Sequence, residues 1–105
     1  MRDLVVAGLR LECLDLPAAR PELPVVVLLH EGLGCVAMWR DLPHRIAART
    51  GCRTVAWSRA GHGGSDAYAA PRGPRYLHEE ALERLPAALA ALGIARPLLV
   101  GHSDG

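Results

Sequence analysis

A regular alternation of short apolar runs and amphipathic stretches after residue 24 constrains the fold more than any other feature of the chain. Val25–Leu29 is a continuous run of β-branched and aliphatic residues, typical of a central strand covered on both faces. Residues 53–57 predict the next strand, and residues 97–100 predict a further short strand of the buried type. Because helical patterns separate these runs, the order favours an α/β fold with right-handed crossovers and a mostly parallel sheet.

The N-terminal residues predict an antiparallel hairpin at the edge of this sheet. Residues 4–7 form one apolar run, and residues 9–16 form a second run after Gly8. The second run alternates apolar residues with Arg10 and Glu12, so one of its faces is expected to contact water.

Apolar residues recur at helical spacing over residues 36–49, which predicts an amphipathic helix. Pro43 lies inside this stretch, so we expect a kink or a break there, with Asp41 as the N-cap of the second piece. Gly51 follows as the expected C-terminal stop.

A glycine-rich turn at residues 58–66 and a loop containing Pro71 and Pro74 lead to a second predicted helix. Pro86 is expected to bend this helix, and Gly93 is expected to end it. Its apolar stripe is expected to contain Leu77, Ala81, Leu85, Ala88 and Leu92.

Composition bounds the class of protein. With 105 residues, 50% of them hydrophobic, 22% charged and a net charge of +1, the chain fits one globular domain over residues 1–105 and excludes disorder. The near-neutral net charge provides no basic surface for nucleic acid or for an anionic membrane.

No apolar run is long enough for a membrane span or a signal peptide, so we expect a cytoplasmic protein. The 3 cysteines have no C-x-x-C spacing, and no histidine and carboxylate stand at metal-ligand spacing, so we expect neither disulfides nor a metal or other cofactor.

The sequence Gly101-His102-Ser103-Asp104-Gly105 fits the pattern G-x-S-x-G directly after the last predicted strand. Glycines at both ends let the chain turn sharply enough to present the Ser103 hydroxyl at the top of a sheet, in strained backbone. The alternative is a glycine-rich turn between a strand and a helix in which the serine has no chemical role.

The sequence His30-Glu31-Gly32-Leu33-Gly34 follows the central strand, at the end where parallel sheets bind ligands. An acyl-transfer enzyme needs a second backbone N–H there to stabilise an oxyanion. The same pattern also fits a phosphate-binding loop or a plain turn. A nucleotide site is disfavoured because the third glycine of the dinucleotide fingerprint and a Gly-Lys-Ser/Thr sequence are both missing.

These motifs, in this order, resemble the N-terminal part of the α/β-hydrolase fold superfamily. The resemblance rests on the strand followed by His-Glu-Gly-Leu-Gly, on Trp39-Arg40-Asp41, on the turn at residues 58–66 and on the final Gly-His-Ser-Asp-Gly. It covers nearly the whole chain. It implies an α/β fold with a mostly parallel sheet and an antiparallel first hairpin, truncated at the nucleophile elbow.

The resemblance also implies an enzyme, a serine hydrolase that cleaves a small ester or a related acyl or C–C substrate through an acyl-serine. Ser103 aligns with the nucleophile, and the backbone N–H groups of Gly32 and Asp104 align with the oxyanion donors, with Leu33 as the register alternative. The chain departs from many relatives, which carry His-Gly-x where it has His-Glu-Gly and a small serine where it has Cys35. Candidates for lining the pocket are His30, Glu31 and Leu33.

In this fold the triad acid and the histidine follow the serine, whereas only Asp104 and Gly105 follow Ser103 here. A histidine earlier in the chain is a poor substitute; for His30 we expect a structural hydrogen bond. We therefore predict that the isolated chain is inactive and that a complementing C-terminal half would supply the base.

The last strand would be an open edge of the sheet, which favours self-association. The alternative is a short non-catalytic protein that binds a partner through this edge.

Overall fold

The computed structural model describes residues 1–69 and 73–105, so Pro71 of the predicted loop lies outside the described residues. Five strands form one sheet in the spatial order β1-β2-β4-β3-β5. In chain order the strands are β1 (Arg2–Val6), β2 (Leu9–Leu16), β3 (Val25–Leu29), β4 (Thr54–Trp57) and β5 (Pro97–Gly101).

The topology confirms the predicted α/β architecture. Strands β1 and β2 form an antiparallel hairpin, and β2 also pairs antiparallel with β4. Strand β3 pairs in parallel with both β4 and β5, which makes it the central strand of the parallel part. The carboxyl ends of β3, β4 and β5 therefore meet at one edge of the sheet, where ligands bind in such folds.

Hydrophobic cores cover both faces of the sheet. Successive residues of β3 point to opposite faces, so Val27 belongs to one core while Val26 and Leu28 belong to the other. Burying each such side chain contributes about 1.5–3 kcal/mol. The first core includes Ala88 and Leu92, from the second predicted helix, and the second core has Ile46 packed against it.

The first predicted helix is broken near Pro43, as expected. A 3₁₀ turn (Val36–Trp39) precedes helix α1 (Leu42–Thr50), in which proline occupies the first turn, where its missing N–H costs nothing. Asp41 is at the N-cap position, but its side chain makes no capping hydrogen bond. Gly51 ends α1 with φ +75°, a conformation that glycine adopts without steric cost.

The second predicted helix is divided into α2 (Tyr76–Glu79), a π turn (Glu80–Arg84) and α3 (Leu85–Leu92). Pro86 explains the wide turn, because proline has no N–H and its ring would clash with the carbonyl one regular turn earlier. Gly93 ends α3 with φ +69°. The predicted stripe is wrong in its first half, where Leu77 is exposed, and only Ala88 and Leu92 are buried.

Strand β5 has the continuous apolar run of a buried strand, and its predicted position at an open edge is confirmed. It lies at the edge of the sheet, and Leu98, Leu99 and Val100 are 57%, 47% and 39% exposed. Periodicity alone cannot distinguish a buried strand from one whose neighbours are missing, because both carry continuous apolar runs.

The glycine-rich turn after β4 is held by Glu12 of β2. The Ser58 hydroxyl donates to the Glu12 carboxylate at 2.6 Å, and the Glu12 N–H donates to the Ser65 hydroxyl at 2.9 Å. Within this turn Gly63 has φ +51°. The turn is therefore built around a side chain from a different strand.

Among residues 1–69 and 73–105 no helix has the length and apolar character needed to cross a membrane.

Candidate active site

The backbone of Ser103 is strained. Ser103 follows β5 with φ +59°, in the left-handed region that non-glycine residues rarely adopt. The turn is held by the N–H of His102, which donates to the Leu29 carbonyl at 3.1 Å, and by the N–H of Gly105, which donates to the His102 carbonyl at 3.0 Å. Such strain persists only where surrounding contacts impose it, and it is concentrated at functional sites.

The glycines at both ends of the motif are required by close backbone contacts. A Cβ on Gly101 would lie 2.5 Å from the Gly105 carbonyl oxygen. A Cβ on Gly105 would collide with the carbonyl oxygen of Leu29, at the end of β3. The turn at Ser103 is thus packed tightly against the neighbouring strand.

The loop after β3 lies against this turn. A Cβ on Gly32 would be 3.0 Å from one Asp104 carboxylate oxygen and 3.3 Å from the other. The structure therefore places Gly32 beside the Asp104 side chain; these two residues are the pair that the resemblance implies as oxyanion donors. Within the described part of the chain, neither of their backbone N–H groups donates a hydrogen bond.

His30 is only 2% exposed and uses both ring nitrogens. Its Nε2 accepts the backbone N–H of Arg59 at 3.0 Å, so the proton is on Nδ1, which donates to the Glu31 carbonyl at 2.6 Å. Burial lowers the pKa of His30 and favours the neutral ring. His30 therefore has a structural hydrogen-bonding arrangement that leaves no nitrogen free to accept a proton.

The other two predicted pocket residues differ in exposure. Glu31 is half-buried, whereas Leu33 is 96% exposed. Leu33 and Gly32 line an open cleft that also includes His62. Leu33 is thus available to contact a bound molecule but makes little contact with the domain itself.

Sequence reasoning missed Arg59, which follows β4 and is only 8% exposed. Its Nη2 donates to Asp104 Oδ1 at 3.2 Å and to the Glu31 carbonyl at 3.2 Å. The Tyr76 hydroxyl lies 3.4 Å from the other carboxylate oxygen of Asp104. The available signal was a charged residue two positions after the end of a predicted strand, where a charge that becomes buried needs a partner.

The described residues supply no catalytic base of the triad type. His62 places Nε2 2.8 Å from the Gly32 carbonyl and Nδ1 3.1 Å from the Ala60 carbonyl, so both ring nitrogens face acceptors. No hydrogen bond joins a histidine to a carboxylate in the part of the chain that the structure describes. Nor do those residues contain a cluster of three or more potential metal ligands.

A cavity of about 360 Å³ lies beside Ser103, within the size range of small-molecule sites. Ser103, Asp104 and Gly105 line one side of it. Apolar side chains of Leu29 and Trp57, at the ends of β3 and β4, line another part. The arrangement provides an apolar space next to a hydroxyl that is held in strained backbone.

A family model described as alpha/beta hydrolase fold matches residues 24–105. The match includes the loop after β3, the glycine-rich turn and the turn at Ser103. No curated protein sequence matches the chain significantly.

Solved structures share the fold. A Vigna radiata epoxide hydrolase mutant has a TM-score of 0.77 and 24% identity, covering 99% of this chain and 30% of that one. The enol-lactonase from Burkholderia xenovorans has a TM-score of 0.76 and 22% identity, covering 95% and 36%. A Thermoplasma acidophilum protein described as a predicted CIB-like hydrolase has a TM-score of 0.83 and 22% identity, covering 99% and 50%. The chain thus spans half or less of the length of these structures.

Proposed function

Because the chain belongs to the alpha/beta hydrolase fold family, we propose that it is the nucleophile-bearing part of a serine hydrolase, with Ser103 as the nucleophile. The observation that carries the proposal is the φ of +59° at Ser103, in a turn where both flanking glycines are required by backbone contacts. Ala7 and Arg40 also have a positive φ, so the strain supports the proposal only together with the place of Ser103, which follows a parallel strand and lies between two glycines that no side chain could replace.

The proposed chemistry is acyl transfer. The Ser103 oxygen attacks the acyl carbon, the leaving group departs with its bonding electrons and gains a proton, and water then hydrolyses the acyl-serine. The backbone N–H groups of Gly32 and Asp104, which lack acceptors among the described residues, stabilise the oxyanion that forms during each attack. No cofactor is needed for these steps.

The proposed substrate is a small ester or a related acyl or C–C compound. The enol-lactonase among the similar structures supports an ester-class substrate, since a lactone is a cyclic ester. The apolar cavity beside Ser103 is consistent with a small organic molecule.

The proposed compartment is a reducing one such as the cytoplasm, which the free thiols of Cys13, Cys35 and Cys52 support.

The proton of Ser103 needs an acceptor, and no described histidine is paired with a carboxylate to receive it. We therefore propose that the 105-residue polypeptide alone is inactive and that a complementing C-terminal half supplies the base. The oxyanion donors and the serine remain testable without that half.

Labelling of Ser103 by a fluorophosphonate tests the proposed nucleophile. Added imidazole replaces the missing base, so it is expected to accelerate phosphonylation of the 105-residue polypeptide, with the added mass on the peptide containing Ser103. Ser103→Ala is expected to remove that label, whereas Ser65→Ala, which changes another serine near the strand ends, is expected to keep it. Absence of any label on Ser103 in the folded protein with imidazole would contradict the proposal.

The exposed edge of β5 favours a second candidate function, that of a non-catalytic protein whose edge pairs with a strand of a second copy. The Arg96 carbonyl and the His102 N–H both bond to β3 residues. Because backbone groups alternate in direction along a strand, the N–H of Leu99 points away from β3. Within the described residues nothing pairs with this outer side.

Sedimentation velocity over a range of concentrations tests this candidate. The wild-type polypeptide is expected to self-associate, and Leu99→Pro is expected to prevent it, because proline removes the outward N–H without removing a bond to β3. Leu99→Ala keeps the N–H and is the matched control, which is expected to associate. A wild-type protein that stays monomeric, or a Leu99→Pro variant that associates equally, would exclude edge pairing.

A further inference from the structure

We propose that Arg59 is a positioning residue that orients both oxyanion donors of the proposed hydrolase. This inference rests on the proposed function, because it concerns the same N–H groups of Gly32 and Asp104. Arg59 itself follows β4, so it belongs to a third loop that the proposed chemistry does not otherwise use.

Arg59 acts on Gly32 through a shared peptide group. The carbonyl of Glu31 and the N–H of Gly32 belong to one planar trans peptide, so they point in opposite directions. Arg59 Nη2 donates to this carbonyl at 3.2 Å, and His30 Nδ1 donates to it at 2.6 Å. Holding the carbonyl from two donors therefore sets the direction in which the Gly32 N–H points.

Arg59 acts on Asp104 through its carboxylate. The same Nη2 donates to Asp104 Oδ1 at 3.2 Å, and the Asp104 side chain is itself 22% exposed. A charge-assisted bond in this half-buried position is stronger than one between neutral groups. It holds residue 104 against the loop after β3, and the backbone N–H of that residue is the other proposed donor.

Burying the Arg59 side chain at this position costs desolvation free energy. The Nε of Arg59 is buried and has no partner in the described part of the chain, so its desolvation is only partly compensated. An apolar side chain would avoid that cost but could not bond the Glu31 carbonyl and the Asp104 carboxylate together. The arrangement is thus explained by the need to fix two separate loops relative to each other.

The rate of Ser103 phosphonylation in the presence of imidazole tests the inference. Arg59→Lys keeps the charge on a side chain that is one bond shorter, so its ammonium falls short of the Nη2 position that contacts both acceptors. It is expected to lower the rate by about tenfold or more, since small displacements of an oxyanion donor are costly. The matched control is Arg53→Lys. Arg53 lies away from the site and donates to the carboxylate of Asp15, a residue of β2, at 2.9 Å. That control is expected to lower the melting temperature and to leave the labelling rate of the folded protein unchanged.

A pair of variants at Asp104 keeps the test decisive if Arg59→Lys does not fold. Asp104→Asn retains an oxygen acceptor for Arg59, whereas Asp104→Ala does not, so the asparagine variant is expected to label faster. Equal rates for these two variants, or a folded Arg59→Lys protein that labels as fast as the wild type, would overturn the role of Arg59. Absence of Ser103 labelling in the wild type would instead overturn the proposed function.

Discussion

The 105-residue polypeptide is expected to hydrolyse a p-nitrophenyl ester no faster than its own Ser103→Ala variant. A serine hydroxyl is a weak nucleophile until a base removes its proton, and the described histidines are committed elsewhere or exposed. His30 and His62 contact backbone acceptors or donors with both ring nitrogens. In serine proteases the loss of the triad serine or histidine lowers turnover by about 10⁶-fold, so a comparable loss is expected here.

The measurement is the initial rate of p-nitrophenolate release by wild type and Ser103→Ala at equal concentration. The control is a melting curve for each protein, which shows that both are folded. A wild-type rate well above that of Ser103→Ala would mean that a base exists within this chain. His62, 2.8 Å from the Gly32 carbonyl, would then be the first histidine to replace.

Gly63→Ala is expected to lower the free energy of unfolding by about 2–4 kcal/mol, through overpacking added to backbone strain. Its Cβ would collide with the Glu12 carboxylate and would lie 2.9 Å from both the Cys35 Cβ and the Ser58 hydroxyl oxygen. The carboxylate cannot simply swing away, because it accepts the hydrogen bond from Ser58. A loss of this size is a large part of the stability of a small domain.

Gly61→Ala is the matched control in the same turn. Gly61 has φ +82°, and nothing in the described chain lies within 4 Å of a Cβ placed there. Only backbone strain is then expected, at a cost of about 1 kcal/mol. Urea denaturation followed by circular dichroism measures both changes. Equal losses for the two variants would show that Glu12 and its neighbours do not constrain the turn.

Much of the fold was predictable because its signals are local. Continuous apolar residues predicted β3, alternation predicted β2, and proline predicted the break before α1. The apolar run of β5 by itself predicts a buried strand, whereas the exposure of its side chains depends on which neighbours cover the strand. The exposed Leu77 has the same explanation, since helical spacing identifies a face without identifying what lies against it.

The amino-acid sequence alone accounts for the alternation of strands and helices, the tight turn at Ser103 and the loop that follows the central strand. These features depend on residues that are adjacent in the chain, where glycine, proline and apolar spacing act directly on the backbone. The role of Arg59 emerges only in the folded chain, where its side chain joins the loop that contains Gly32 to Asp104. Arg59 and Asp104 are 45 positions apart in the chain. Their contact exists because β3 lies between β4 and β5, which brings the carboxyl ends of all three strands to one edge of the sheet.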